Sequence, residues 1–152
     1  MTGYNVYSAL SGHCLLALGG LGKFEDGKAV LEKGLKNALA VKDRLMAGCV
    51  IISNSWLSYL EGDGNVTADH AQEAIRHFEE TGADLFLGLT WSWIGAGYYL
   101  LGDYERARTH AEKGLNLQKE SGVPFLLPIC YSSLALIHSA PGDLQSAQGC
   151  AE

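Results

Sequence analysis

The feature that most constrains this chain is a repeat of fixed length marked by glycine. Gly22, Gly62, Gly102 and Gly142 lie at intervals of 40 residues along a sequence of 152 residues. Small and large apolar residues recur in phase with these glycines. A period of 20 to 50 residues is typical of solenoids, in which each unit buries its apolar face only by stacking on its neighbours. The sequence therefore predicts a single repeat domain.

Each period is predicted to contain two helices. Residues 103–120 contain no proline and begin with Asp103, a residue type that caps helix N-termini. Gly122 follows them and tolerates the left-handed conformation of a helix end. Further helices are predicted over residues 85–101 and 125–140, because both segments are long and apolar. The whole chain is predicted to be all-α, with seven helices and the start of an eighth.

The third repeat contains a recognisable motif. Trp91, Ile94, Gly95 and Tyr98 have the spacing W-x2-L-G-x2-Y, and a Gly-Asp-Tyr-x2-Ala segment ending at Ala107 follows them. This pattern resembles the tetratricopeptide repeat (TPR) signature, which the other copies match only in degenerate form. The long period is similar to that of the long-helix variants in kinesin light chains and bacterial signalling proteins. The resemblance implies a right-handed superhelix of antiparallel helix pairs. Its repeat units would be residues 1–43, 44–83, 84–123 and a shortened 124–152.

Composition and charge argue against several classes of partner. Eleven basic residues against 17 acidic ones give a net charge of −6, which repels phosphate backbones, so no direct nucleic-acid partner is expected. Residues 85–102 and 121–142 lack acidic and basic side chains and approach the length of a bilayer span. Polar residues, glycine and proline interrupt them, and no Lys/Arg cluster flanks them on one side, so no membrane partner is predicted. Without a visible secretory signal, a cytoplasmic location is predicted.

The four cysteines show no metal-ligand spacing. Cys14, Cys49, Cys130 and Cys150 are far apart in sequence and lie in apolar or small-residue stretches. They are predicted to be reduced and to behave as small buried hydrophobes. His13 next to Cys14 suggests a thiolate pair, but neighbours on a helix point about 100° apart. Both are therefore predicted to lie in the core or in a groove.

Two loop-like motifs are incomplete. Residues 19–24 resemble a phosphate loop but lack its first glycine and the Ser or Thr after the lysine. Residues 63–69 resemble a calcium loop but lack the required glycine and the final glutamate. A turn with Thr67 or Asp69 as helix N-cap is predicted there instead.

Histidine spacing gives no complete metal site. His70 and His77 lie two turns apart on one helix face without a third ligand at zinc spacing, so a solvated face is predicted for them. No hydrolase, metalloprotease or dinucleotide-binding motif is present in the sequence. The sequence predicts no enzyme, no metal and no cofactor.

Charge divides the helices of each predicted pair. One helix carries many charges, whereas residues 45–60, in the other helix of its pair, carry no Asp, Glu, Lys or Arg. In the TPR family the first helices line the concave surface, and its Lys and Asn carboxylate clamp is missing here, so an acidic C-terminal peptide is not expected. The predicted groove residues are Leu16, Ile52, Trp56, Tyr59, Ser92, Trp93, Ala96, Tyr99, Ser132 and Leu136. They form either an exposed binding groove or core between tightly wound helices.

The predicted function is that of a protein–protein interaction or regulatory scaffold. Its groove would bind a peptide, a helix or another part of its own parent chain. The alternative is a small-molecule-sensing domain of a signalling or transcriptional regulator, with an apolar ligand near Trp56, Trp93 and Tyr99. Because both ends interrupt the repeat, the chain is also predicted to be part of a longer array and to form a homodimer through its ends.

Overall fold

A computed structural model describes residues 6–140 and 144–151 of the chain. These residues form eight α-helices and no strand, which confirms the predicted all-α class. Gly142, the last glycine of the 40-residue series, lies outside the described residues. The helices are α1 Val6–Gly20, α2 Phe24–Ala40, α3 Arg44–Glu61, α4 Gly64–Thr81, α5 Leu87–Leu100, α6 Tyr104–Glu120, α7 Leu127–Ser139 and α8 Leu144–Ala151. One turn of 3₁₀ helix precedes α5 (Asp84–Phe86) and another precedes α7 (Pro124–Leu126).

Left-handed residues end the first six helices at regular intervals. Gly22, Gly62 and Gly102 have φ angles of 70°, 82° and 76°, so the glycines of the 40-residue series close α1, α3 and α5. Glycine also occupies the turns after α4 and α6, with similar φ angles. The turn after α2 differs, because Lys42 adopts a φ of 58° there. A left-handed residue thus recurs every 20 positions from 22 to 122, once per helix.

Aspartate caps three of the helices directly after these turns. The Asp103 carboxylate accepts a hydrogen bond from the backbone N–H of Arg106 at 3.1 Å, as the sequence predicts. Asp43 and Asp63 make the same bond to the N–H three residues ahead. The predicted N-cap at Thr67 or Asp69 is therefore wrong, because Asp63 already caps α4 and the helix begins at Gly64.

The helices pack in two layers. Each helix packs against its neighbours in sequence, and α1, α3, α5 and α7 also contact one another in that order. Successive even-numbered helices make at most marginal contact within the described residues. The odd-numbered helices therefore form a continuous layer, and the even-numbered helices lie on it.

The core is a series of small clusters. Leu15 and Leu57 belong to a cluster between α1, α2 and α3. Phe78 and Ile94 belong to the next, between α3, α4 and α5, and Leu134 belongs to one between α6 and α7. Each cluster fills one step of the stack, as in repeat proteins whose units contact only their neighbours.

Small residues bring α5 close to the helices on both sides. A Cβ atom built on Gly95 would lie 2.7 Å from the carbonyl oxygen of Ala107 on α6, which confirms that these two positions permit close approach. A Cβ on Gly97 would lie 2.7 Å from the carbonyl oxygen of Gly64 on α4. Because both contacts involve backbone, α5 is held tightly between α4 and α6.

Aromatic stacking joins α5 to α6 on the other side of the signature motif. The His110 ring stacks between Trp91 and Tyr98, with ring centroids 5.5 and 5.2 Å away. Lys113 lies over the Trp91 ring at 3.4 Å, and Arg106 lies over the Tyr98 ring at 5.5 Å. Burial, with the nearby Lys113 and Arg106 charges, lowers the pKa of His110.

Candidate partner-binding surface

Two faces of α5 are used in packing, and a third is free. Ser92 and Gly95 face α6, where a Cβ on Gly114 would meet the Ser92 hydroxyl at 2.5 Å. Ile94 and Gly97 face α4 and are buried. The remaining face carries Trp93 and points away from the even-numbered helices. The same division holds along the odd-numbered layer because the repeat preserves helical register.

We call this free surface the odd-helix face. A cavity of about 450 Å³ opens on it between α1, α3 and the 3₁₀ turn before α5. The 40-residue register extends the cavity-lining positions along α5 and α7. The face comprises Ala9, His13, Leu16, Leu45, Cys49, Ser53, Trp56, Leu60, Leu85, Leu89, Trp93, Leu100, Phe125, Ile129, Ser133 and Leu136.

The odd-helix face is apolar and uncharged. None of its residues is Asp, Glu, Lys or Arg, and helices α1, α5 and α7 carry none of these residue types at all. Large side chains are nevertheless open to solvent at its α7 end, where Phe125 is 70% exposed and Ile129 and Leu136 are each 42% exposed. A contiguous exposed apolar surface of this kind is typical of a binding site.

The polar groups at the cavity satisfy their own hydrogen bonds. The Ser53 hydroxyl donates to the Cys49 carbonyl at 2.8 Å, and the Ser8 hydroxyl donates to the Gly34 carbonyl at 3.0 Å. His13 Nδ1 lies 2.9 Å from the Ala9 carbonyl, which can only accept a proton, so this nitrogen is the donor. The cavity therefore presents mainly carbon atoms to a ligand.

The cysteine thiols are free and differ in exposure. Burial, aided by the charge of Asp43, raises the pKa of Cys49 to about 11, so this thiol stays protonated at neutral pH. Cys130 is buried as predicted, but Cys14 is exposed. The prediction of burial for Cys14 is wrong because no described helix covers its face of α1.

A cluster of half-buried aromatic rings lies beside the face. Tyr59 and Trp93 meet edge to face with centroids 5.7 Å apart. Burial, with the neighbouring Tyr99, raises the pKa of Tyr59. The Trp56 ring packs on α1, where a Cβ added to Gly19 would lie 2.5 Å from it. These rings link successive odd-numbered helices and expose only part of their surface.

The ten predicted groove residues are distributed over three environments. Leu16, Ser132 and Leu136 are exposed, and the predicted tryptophans and tyrosines are half-buried. The other three, Ile52, Ser92 and Ala96, are buried. Ser92 donates to the Gly88 carbonyl at 3.1 Å and packs on α6, so it does not reach the odd-helix face.

Several residues of the face were not predicted. His13, Cys49, Ser53 and Leu85 line the cavity. The signal for them is in the sequence, because His13, Ser53 and Trp93 are 40 residues apart and lie one position after the predicted series at 12, 52 and 92. A shift of one residue rotates a helix position by about 100°, which moves it from the α6-facing side to the open side.

The predicted solvated histidine face is wrong. His70 and His77 are half-buried, and His70 Nε2 lies 2.8 Å from Asn54 Nδ2 on α3. Within residues 6–140 and 144–151 no three His, Cys, Asp or Glu side chains converge as a metal site would require.

Charge is concentrated on the even-numbered helices. Lys28 of α2 pairs with Glu61 at 2.7 Å, and Arg44 pairs with Glu80 of α4. None of the helices in the described part of the chain combines the length and apolar character needed to cross a bilayer. No protein-family model matches the chain, and no curated protein matches it significantly.

Proposed function

We propose that this chain is a TPR-like interaction module that binds an apolar segment of a protein partner on its odd-helix face. In this proposal the helix pairs wind into a right-handed superhelix with the odd-numbered helices on the concave side. The observation that carries it is the uncharged, partly exposed apolar surface that crosses α1, α3, α5 and α7. An enzyme needs groups that can accept protons or attack, and the proposal assigns none to this face.

The contact between Gly95 and Ala107 supports the TPR-like arrangement. In the signature motif these two positions are small so that the paired helices can approach, and the Cβ distance of 2.7 Å shows that no larger residue fits at Gly95. The contacts of α1 with α3, α3 with α5 and α5 with α7 place the first helix of each pair in one layer.

The chemistry of the face favours one kind of partner. Without Lys or Arg it cannot pair with an acidic peptide, and without Asp or Glu it cannot pair with a basic one. Its leucines, tryptophans and Phe125 suit an amphipathic helix or an extended apolar peptide whose side chains are buried in the groove. The cavity beside His13 would receive a large apolar side chain of that partner.

The test is to select binders from a random peptide library displayed on phage and to map their site. The selected peptides should be rich in Leu, Ile, Phe or Trp at helical or alternating spacing. Leu16→Glu and Leu136→Glu place a charge on the face and should each weaken binding by about tenfold or more, the effect expected when an anchor contact is lost. Leu39→Glu is the matched control, because Leu39 is 52% exposed on α2, outside the face.

Two results would contradict this proposal. One is a set of selected peptides dominated by acidic or basic residues. The other is binding that Leu39→Glu weakens as much as the two substitutions on the face do.

The cavity supports a second candidate function, the sensing of a small apolar molecule. Its volume of about 450 Å³ falls within the range of ligand pockets, and its lining is predominantly apolar. Native mass spectrometry of protein purified from its source distinguishes the two functions. A retained small molecule would favour the sensor, whereas a retained polypeptide would favour the scaffold.

A further inference from the structure

One face of α1 is exposed, although the equivalent face of every later odd-numbered helix is covered. Leu10 is 57% exposed, whereas Val50, Thr90 and Cys130, which follow it at 40-residue intervals, are 2%, 0% and 0% exposed. On α3, α5 and α7 this register faces the preceding even-numbered helix. The described part of the chain contains no helix that covers it on α1.

The exposed residues form a continuous line, which we call the α1 stripe. It consists of Val6, Leu10, Cys14, Ala17 and Leu21. All five are exposed, and Val6 and Leu21 are 57% and 72% exposed. The stripe is about 22 Å long at 1.5 Å per residue. It is separate from the odd-helix face and from the side of α1 buried against α2, where Ser11 and Leu15 lie.

The α1 stripe is complementary to itself. Cys14 lies near its midpoint, seven residues before Leu21 and eight after Val6. When two such helices cross antiparallel about a two-fold axis at Cys14, the large Leu10 of one faces the small Ala17 of the other. The stripe carries no charge that would oppose this pairing.

We propose that the α1 stripe pairs with the α1 stripe of a second copy of this chain, antiparallel and about a two-fold axis through Cys14. The pairing gives α1 the second covered face that α3, α5 and α7 already have. Because an isologous contact uses the same surface on both copies, it closes as a dimer and leaves no stripe free to extend a filament. The odd-helix face stays open in both copies, so this dimer is independent of the function proposed above.

The first test is sedimentation equilibrium under reducing conditions over about a hundredfold range of protein concentration, because mass action shifts a dimer across such a range. The wild-type chain should change from monomer to dimer as concentration rises. Leu10→Glu should remain monomeric, since it places two carboxylates in an apolar contact. Leu39→Glu, which changes an equally exposed leucine on α2, should dimerise as the wild type does. Circular dichroism establishes that both variants are folded.

The second test uses Cys14 itself. Helix axes 8–10 Å apart bring the two cysteines on the axis within the Cα separation that a disulfide requires. Diamide, which takes up the two electrons and two protons that the thiols release, should therefore produce a covalent dimer. Cys14→Ser should abolish this dimer, and Cys150→Ser should leave it intact.

Three outcomes would overturn the proposal. The first is a wild-type chain that is monomeric over the whole range. The second is a dimer that Leu10→Glu does not weaken, or that Leu39→Glu weakens equally. The third is a disulfide dimer that persists in Cys14→Ser, or no disulfide at Cys14 in a chain that dimerises, which would point to a different surface or to head-to-tail contact.

Discussion

Helices α1 and α5 occupy the same position in the first and third repeats but differ in how many of their faces are covered. Helix α5 packs between α4 and α6, and its contact residues include glycines whose Cβ positions are filled by neighbouring backbone. Helix α1 packs on α2 and α3 only, and its third contact face is the exposed α1 stripe. The same helical register therefore demands small or well-packed residues on α5 and tolerates almost any small or apolar residue on α1.

The largest difference is expected between Ile94 and Cys14, which are equivalent in register. Ile94 is 1% exposed between α4 and α5, so Ile94→Ala should lower the free energy of unfolding by about 2–5 kcal/mol. Cys14→Ala removes an exposed side chain and should change it by about 0.5 kcal/mol or less. Urea unfolding at a concentration that keeps the chain monomeric measures both. Equal losses for the two variants would contradict the comparison.

Gly97 and Ala17 are the next pair. Gly97→Ala should destabilise by about 1–3 kcal/mol, because the new Cβ meets backbone of α4 at 2.7 Å and overpacks the contact. The change improves helix propensity, so a loss of stability identifies the contact as the cause. The reverse change at Ala17, Ala17→Gly, should cost about 0.5–1 kcal/mol through propensity alone. A stabilised Gly97→Ala variant would show that α4 and α5 separate easily.

The turn after α2 allows the first repeat to be made more like the others. Lys42 has a φ of 58° where the turns after α4 and α6 have Gly82 and Gly122. Lys42→Gly should raise the free energy of unfolding by about 1 kcal/mol, because a left-handed conformation costs a residue with a Cβ about that much. Thermal unfolding of this variant beside Lys36→Gly, an exposed position within α2, provides the control, since the second change should destabilise.

The smallest effect concerns the His110 stack, which the first helix pair lacks. Because the pKa of His110 is lowered in the folded chain, the unfolded chain binds a proton there at higher pH. His110 therefore contributes stability above its unfolded pKa of about 6.5, and that contribution is lost as pH falls through this value. Urea unfolding at about pH 7.5 and about pH 5.5 should show a smaller decrease for His110→Gln than for the wild type. An unchanged decrease would mean that the stack does not disfavour the charged ring.

Much of the fold could be predicted from the glycine series. Glycine at left-handed turns is a local requirement of the backbone, so Gly22, Gly62 and Gly102 locate three helix ends directly. Asp103 was recognised as a cap for the same local reason. Lys42 could not be recognised, because nothing in its side chain indicates a positive φ. The start of α4 was misplaced because Thr67 and Asp69 have the same capping chemistry as Asp63 and lie within one turn of it.

The odd-helix face was harder to predict than the fold. Its apolar, uncharged character follows from the absence of charge in residues 45–60 and 85–102. Which residues face outward depends on the rotation of each helix about its axis, and close contacts such as that of Gly114 with Ser92 set this rotation. Such contacts join residues far apart in sequence, so the register of Ile52, Ser92 and Ala96 could not be derived from spacing alone.

The division of the core into separate clusters has a consequence for how the molecule opens. A protein with one core loses all of its tertiary packing together, but here each step of the stack has its own cluster. Amide protons in α4 and α5 are covered from both sides and should exchange with deuterium only in rare, large openings. Those in α1 and α8 should exchange through local fraying that leaves the middle intact. The stack would then present partly opened ends while its central helices remain folded.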